Sequence, residues 1–159
     1  MNSRKLTRRV LVAGLVGLLL SPPASAQPAD YSVEVLAIRA TRANDTVSPE
    51  LRDIAAQLRR QFKYTGFKLE KRERKSIAAG QMQEFALVDG YLARVSPQGR
   101  SDGRPTLKLE AARRVDKKER RLISATFTLD ADRFQLVGGG GWELPGAEGD
   151  VLILAVSAR

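Results

Sequence analysis

The sequence predicts an α+β chain that is mostly β: an antiparallel meander or small sandwich with one N-terminal amphipathic helix packed on it. Three observations lead there. A short alternating segment comes first. A single stripe of apolar residues at helical spacing follows it. After that come six or seven alternating segments separated by turn residues, with no return to helical spacing. Helix and strand do not alternate, which argues against a doubly wound parallel sheet.

The elements can be read in order. Residues 31–39 alternate, with Val33, Val35 and Ala37 on one side and Leu36 and Ile38 on the other. Apolar residues on both sides predict a strand covered in part on both faces. Residues 49–63 read as a helix. Ser48 suits the cap, Pro49 the first turn, and Glu50 the positive end of the dipole. Leu51, Ile54, Leu58 and Phe62 form its apolar stripe, and Gly66 suits a left-handed stop.

Residues 67–157 read as strands and turns. An extended segment runs from Phe67 through Ile77. Phe85 and Leu87, then Tyr91, Ala93 and Val95, alternate around an Asp89-Gly90 hairpin signal. Residues 97–105, rich in Gly, Ser and Pro, predict a loop with a mobile tip. Leu107, Leu109 and Ala111 form the next strand, and a charged turn at 116–119 follows. Ile123, Ala125, Phe127 and Leu129 alternate cleanly; Asp130-Ala131-Asp132 then turns the chain into a strand through Phe134 and Leu136. Gly138 to Gly141 predict a bulged or bent strand rather than a phosphate loop, since no Lys-Ser or Lys-Thr follows them. Residues 145–150 turn once more, and an apolar segment ends at Val156.

The first 26 residues carry a different message. Arg4, Lys5, Arg8 and Arg9 precede an apolar run from Val10 to Leu20, and Ala24-Ser25-Ala26 offers the small residues of a cleavage site. That run would make only ~16 Å of helix, against a membrane core of ~30 Å. A cleaved signal peptide over 1–26 is therefore expected, with export to the periplasm or beyond. Thr7-Arg8-Arg9-Val10-Leu11 resembles a twin-arginine signal, and the general secretory route is the alternative. Residues 27–159 are then the exported domain, with no later segment apolar enough to span a membrane.

Composition excludes several chemistries. The chain of 159 residues has no Cys and no His. Disulfides, thiol nucleophiles, imidazole bases and Cys- or His-ligated metals are ruled out. No Ser-x-x-Lys occurs, no Asp-rich loop has calcium spacing, and most Asp residues adjoin turns. The expected role is non-enzymatic, without cofactor or metal.

Charge is the most distinctive clue. The full chain carries a net +9. Four of its basic residues and none of its acidic ones fall in residues 1–26, which leaves 23 basic against 18 acidic, a net +5. Residues 59–75 hold eight basic and two acidic side chains, a net +6. Residues 113–121 hold six and two, a net +4. Everything else after residue 26 is therefore −5. If the two runs met, they would form one positive face for an anionic polymer, a lipid headgroup or an acidic envelope protein. Lys71, Arg72, Arg74 and Lys75 from the first run, with Lys117, Lys118, Arg120 and Arg121 from the second, are the candidate binding residues. Nucleic acid fits an exported chain poorly, and few aromatic residues interleave the basic ones. The alternative is an accessory subunit of an envelope complex that adds a strand to its partner, through residues 134–141 or 151–157.

The end of the chain adds a resemblance. Ser124-Ala-Thr-Phe-Thr-Leu129, then Phe134-Gln-Leu-Val-Gly-Gly139, then Val151-Leu-Ile-Leu-Ala-Val156 resembles a pattern near the ends of secretin-type outer-membrane proteins. The resemblance implies a strand, a turn, a strand ending in Gly-Gly and a later apolar strand closing the sheet. The Pro-rich segment expected between those strands is missing, and no functional residue carries over. More broadly, the chain resembles small exported proteins of bacteria with elaborate envelopes.

Overall fold

The computed structural model describes residues 30–159, so the expected signal peptide lies outside the described residues. Eight strands form two four-stranded antiparallel sheets, with one short helix. The strands are β1 Asp30–Thr41, β2 Gly66–Ala78, β3 Gln83–Ala86, β4 Tyr91–Ser101, β5 Arg104–Val115, β6 Lys118–Thr128, β7 Gln135–Glu143 and β8 Val151–Ala158. The first sheet has the order β2-β1-β8-β7, and the second is a meander, β3-β4-β5-β6. No described helix is long and apolar enough to cross a membrane.

β1 is buried on both faces because it lies in the middle of three layers. Opposite residues of an antiparallel pair share a face, so register defines the layers. Val33, Val35 and Ala37 of β1 join Leu154 and Val156 of β8 and face the second sheet, where Val95, Leu107 and Leu109 meet them. Leu36, Ile38 and Ala40 join Ile153 and Ala155 on the opposite face, against Leu51, Ile54 and Leu58 of the helical segment.

The same logic fixes β8. Val-Leu-Ile-Leu-Ala-Val is apolar at every position and all six residues are buried. Such a strand needs cover on both faces. It therefore sits between β1 and β7 rather than at the edge that strand addition would require. Of the two edge candidates, only residues 134–141 fall on an edge strand, β7, which takes in all of them but Phe134.

The helical segment follows the predicted stripe but is shorter than 49–63. It begins as a 3-10 helix, Pro49–Ile54, and continues as α1, Ala55–Gln61. Ser48 makes no side-chain cap. Its hydroxyl instead accepts the Leu69 N–H of β2, and its own N–H donates to the Phe67 carbonyl. The residue is committed to anchoring the segment on the sheet. Gly66 is not the left-handed stop either, since the chain is already extended at Phe62. Gly66 opens β2, where a Cβ would lie 2.3 Å from Asn44 Oδ1.

Tight turns build the second sheet. Asp89-Gly90, Asp102-Gly103 and Asp116-Lys117 all have positive φ at both residues. The latter two pairs are complete two-residue hairpin loops, and this left-handed geometry matches strand twist. The predicted loop over 97–105 is mostly strand. β4 and β5 run on to Ser101 and from Arg104, and Pro97 is accommodated where the register shifts between Pro97 and Gly99. The turn after β6 is not a hairpin, because it carries the chain into the other sheet.

The four glycines form the bulge their sequence predicts. Gly138 pairs with Ile153 and Glu143 with Val151, so four intervening residues of β7 oppose Leu152 alone. This detour turns Trp142 inward to stack on Tyr91, with ring centroids 6.1 Å apart. Gly138 has φ +127° and a Cβ there would lie 2.5 Å from the Leu152 carbonyl oxygen. Gly140 has open space around it. Gly138→Ala should cost about 2 kcal/mol or more in urea unfolding, whereas Gly140→Ala should change stability by less than about 0.5 kcal/mol. Equal effects at both positions would contradict this account of the bulge.

Candidate functional site

The first basic run belongs to β2, and its four candidate residues are occupied by the fold. Strand alternation splits them between two faces. Lys71 and Lys75 share a face with Ala37 and Val33, towards the second sheet. Their ammonium groups donate to the carbonyls of Ala86 and Glu84 on β3, and both lie near Glu73. Lys75 also sits 4.8 Å from the centre of the Phe85 ring. These lysines close the side of the sandwich where β2 and β3 meet.

Arg72 and Arg74 point the other way and grip Glu34 of β1. Arg72 donates to one carboxylate oxygen and Arg74 to the other. Glu34 is only 4% exposed. Burial opposes its ionisation, but the hydrogen bonds and charges of Arg74 and Arg72 together outweigh burial and hold the carboxyl below its ordinary value.

The second run forms the β5–β6 hairpin, and here the pattern reverses. Lys117, Lys118, Arg120 and Arg121 are all exposed, and none makes an ion pair among the described residues. The hairpin's one organising carboxylate is Glu119. It accepts two hydrogen bonds from Arg94, at 2.7 and 2.9 Å, and one from Arg114 at 2.9 Å. Those bonds lower its carboxyl to about 2. Glu119 is thus a fixed anion spoken for by two arginines, and a poor proton donor for any hydrolytic chemistry at neutral pH.

The inner side of this hairpin forms one wall of an open groove of about 520 Å³, with Gly141 and Glu143 of β7 opposite. Arg113, Lys118 and Arg120 line it beside Val115 and Leu122. Val115 is 52% exposed, unusual for a valine in a strand. Two of its lining residues are tied to Tyr91: the Arg113 guanidinium sits 4.7 Å from the Tyr91 ring centre, and Tyr91 donates its hydroxyl to the Glu143 carbonyl at 2.8 Å. Burial raises the Tyr91 phenol above its ordinary value, so it stays a neutral donor. Asp116, Glu119 and Glu143 line the groove as well, so its walls carry both signs of charge beside apolar surface.

The two basic runs do not share a face. β2 is the outer strand of one sheet, and its lysines reach β3, the outer strand of the other. β6 and β7 therefore flank the opposite side, as the groove between them requires. Of the eight candidate residues, only Lys117, Lys118, Arg120 and Arg121 lack an ion pair among the described residues, and of these Lys118 and Arg120 face the groove. Sequence reasoning missed Arg113, Val115 and Leu122. The available signal was the pair of apolar residues flanking an otherwise charged run. Among the described residues no group of three or more carboxylates is placed to hold a metal ion.

Comparison with known protein families, curated proteins and solved structures yields no match.

Removing the Glu34 carboxylate isolates the role of β2. Glu34→Gln should lower stability at pH 7 by about 1–2 kcal/mol, the scale of lost charge-assisted hydrogen bonds. The folded carboxyl is depressed, so its contribution is full above the ordinary glutamate value near 4.3 and is lost as pH falls through the folded value. The gap between wild type and variant in unfolding experiments should therefore close in acid. A gap independent of pH would show that Glu34 acts through packing alone.

Proposed function

We propose that the protein is an exported, non-enzymatic envelope domain that binds an anionic envelope component or an acidic protein partner through its β5–β6 hairpin. One observation carries this reading. The hairpin cations Lys117, Lys118, Arg120 and Arg121 lack ion-pair partners among the described residues, whereas Lys71, Arg72, Arg74 and Lys75 are all engaged. Uncompensated charge that remains solvated is available to a ligand, while paired charge would first have to be released. The basic, apolar and small-residue sequence of 1–26 supports export. Arg113, Val115 and Leu122 extend the cationic tip into a groove of mixed charge that adds apolar surface beside it.

The second reading is an accessory subunit joined to an envelope complex by strand addition. It is supported by β6, which pairs with β5 alone, and by the start of β7, which pairs regularly with β8 from Gln135 to Gly138 and has no partner on its other side. Crosslinking in cells separates the two readings: one stoichiometric protein partner favours assembly, and polymer or lipid adducts favour surface binding.

The leading reading is tested by retention on anionic phospholipid vesicles and on an immobilised acidic polysaccharide. Replacing Lys117, Lys118, Arg120 and Arg121 with Gln should weaken retention at least tenfold, given roughly 1 kcal/mol for each cation near an anionic surface. Replacing Arg59 and Arg60, exposed at the end of α1, should have little effect. Added salt should release the wild type. Retention that ignores salt, or a hairpin variant that binds like wild type, would defeat the proposal.

A further inference from the structure

Four strands end the two sheets, and three of their outer edges are blunted. β2 is charged along most of its length, and its lysines cap the carbonyls of β3. β3 has only four residues. β7 is broken by its glycine bulge. Short strands, lysines and bulges are the ordinary means of preventing unwanted pairing.

β6 lacks these protections over most of its length. It pairs with β5 alone. From Leu122 to Thr128 it reads Leu-Ile-Ser-Ala-Thr-Phe-Thr, without charge, proline or glycine. Ile123 and Phe127 face the core but are only partly covered, while Ser124 and Thr126 are exposed on the outer side. Its bulge lies at Leu122, and pairing with β5 is regular from Ile123 to Thr128. This is an open edge whose inner side chains would gain cover from one more strand.

We propose that the added strand is β6 of a second copy of this chain, antiparallel, with the two-fold axis at Ala125. The charge distribution argues for this occupant. The start of β6 is basic, with Lys118, Arg120 and Arg121, and the segment just beyond its end holds Asp130 and Asp132. An antiparallel pair centred on Ala125 brings the basic start of β6, at Arg120, towards Asp130 just beyond the end of the second copy's β6. Asp130 is exposed and already bonded to Arg104 at 3.0 Å, so the incoming arginine would join an existing ion pair. A parallel pair would stack the basic ends together. The same register puts Ile123 across from Phe127 and Ser124 across from Thr126. Inner residues oppose inner ones, and the whole uncharged stretch is covered. The interface is isologous, and it joins the two meanders into one continuous sheet.

A single strand pair is a small interface, so a dissociation constant in the micromolar range is expected. Sedimentation equilibrium from about 1 to 300 µM should show a monomer–dimer equilibrium for the wild type. In this register residue 124 of one copy faces residue 126 of the other. Ser124→Lys with Thr126→Lys therefore sets like charges opposite each other twice and should weaken the dimer at least tenfold. Ser124→Lys with Thr126→Glu sets opposite charges there and should retain it. Both sites are exposed, and a cooperative melt of each variant checks the fold. The chain has no cysteine, so Ala125→Cys should form a self-crosslinked dimer on mild oxidation, while Thr128→Cys, well away from the axis, should not. A wild type that stays monomeric throughout would overturn the proposal. So would equal behaviour of the two charge variants, or equal crosslinking of the two cysteine variants.

Discussion

The rest of the structure depends on burying β1 on both faces. No disulfide is possible, so packing must hold the chain. β1 supplies four residues to the core shared with the second sheet and three to the core shared with the helical segment. β8 does the same beside it. A strand so placed has little room for charge, yet β1 contains Glu34 and Arg39. Each is held by a small ionic cluster: Glu34 by Arg72 and Arg74, Arg39 by Glu70 and Asp150. A buried charge without partners is costly. Much of the charge on β2 is thus the counterpart of two charges on β1.

That dependence explains what the sequence could and could not reveal. Features set by neighbouring residues were legible. The stripe Leu51, Ile54 and Leu58 marked the buried side of the helix, and the double-sided pattern of residues 31–39 marked a central strand. Asp89-Gly90 announced its turn, and four glycines announced a bulge. Features set by distant partners were not legible. Glu34 and Arg72 are 38 residues apart, so nothing local showed that Arg72 and Arg74 were already committed to a buried carboxylate. Ser48 fits a helix cap by local rules and is instead drawn to Leu69 of β2. The stretch 97–105 has loop composition, yet pairing with β5 holds most of it extended.

The candidate site follows the same division. Its charged residues were visible as a run, but its shape was not. The groove exists because the β5–β6 hairpin stands opposite the bulged end of β7, and those two elements belong to different sheets. Glu119 draws Arg94 and Arg114 together and reaches the groove that Arg113, Lys118 and Arg120 also line. Pairing within the strand layer thus sorts six clustered cations into two that brace the hairpin and its neighbour, or line the groove against Tyr91, and four that remain free for solvent or ligand.

The topology also bears on the order in which the fold can form. The second sheet joins strands adjacent in the chain, so its contacts close through short loops and should form quickly. The first sheet joins β1 to β8, the earliest and latest described strands. A chain that emerges from its N-terminus has β1 in hand from the start but lacks the strand that completes its layer. Until Val151–Ala158 arrives, β1 keeps an unpaired edge and the central layer stays unfinished. Completion of the fold is therefore tied to arrival of the last strand, a coupling that keeps the central layer loosely structured until synthesis reaches Val151–Ala158.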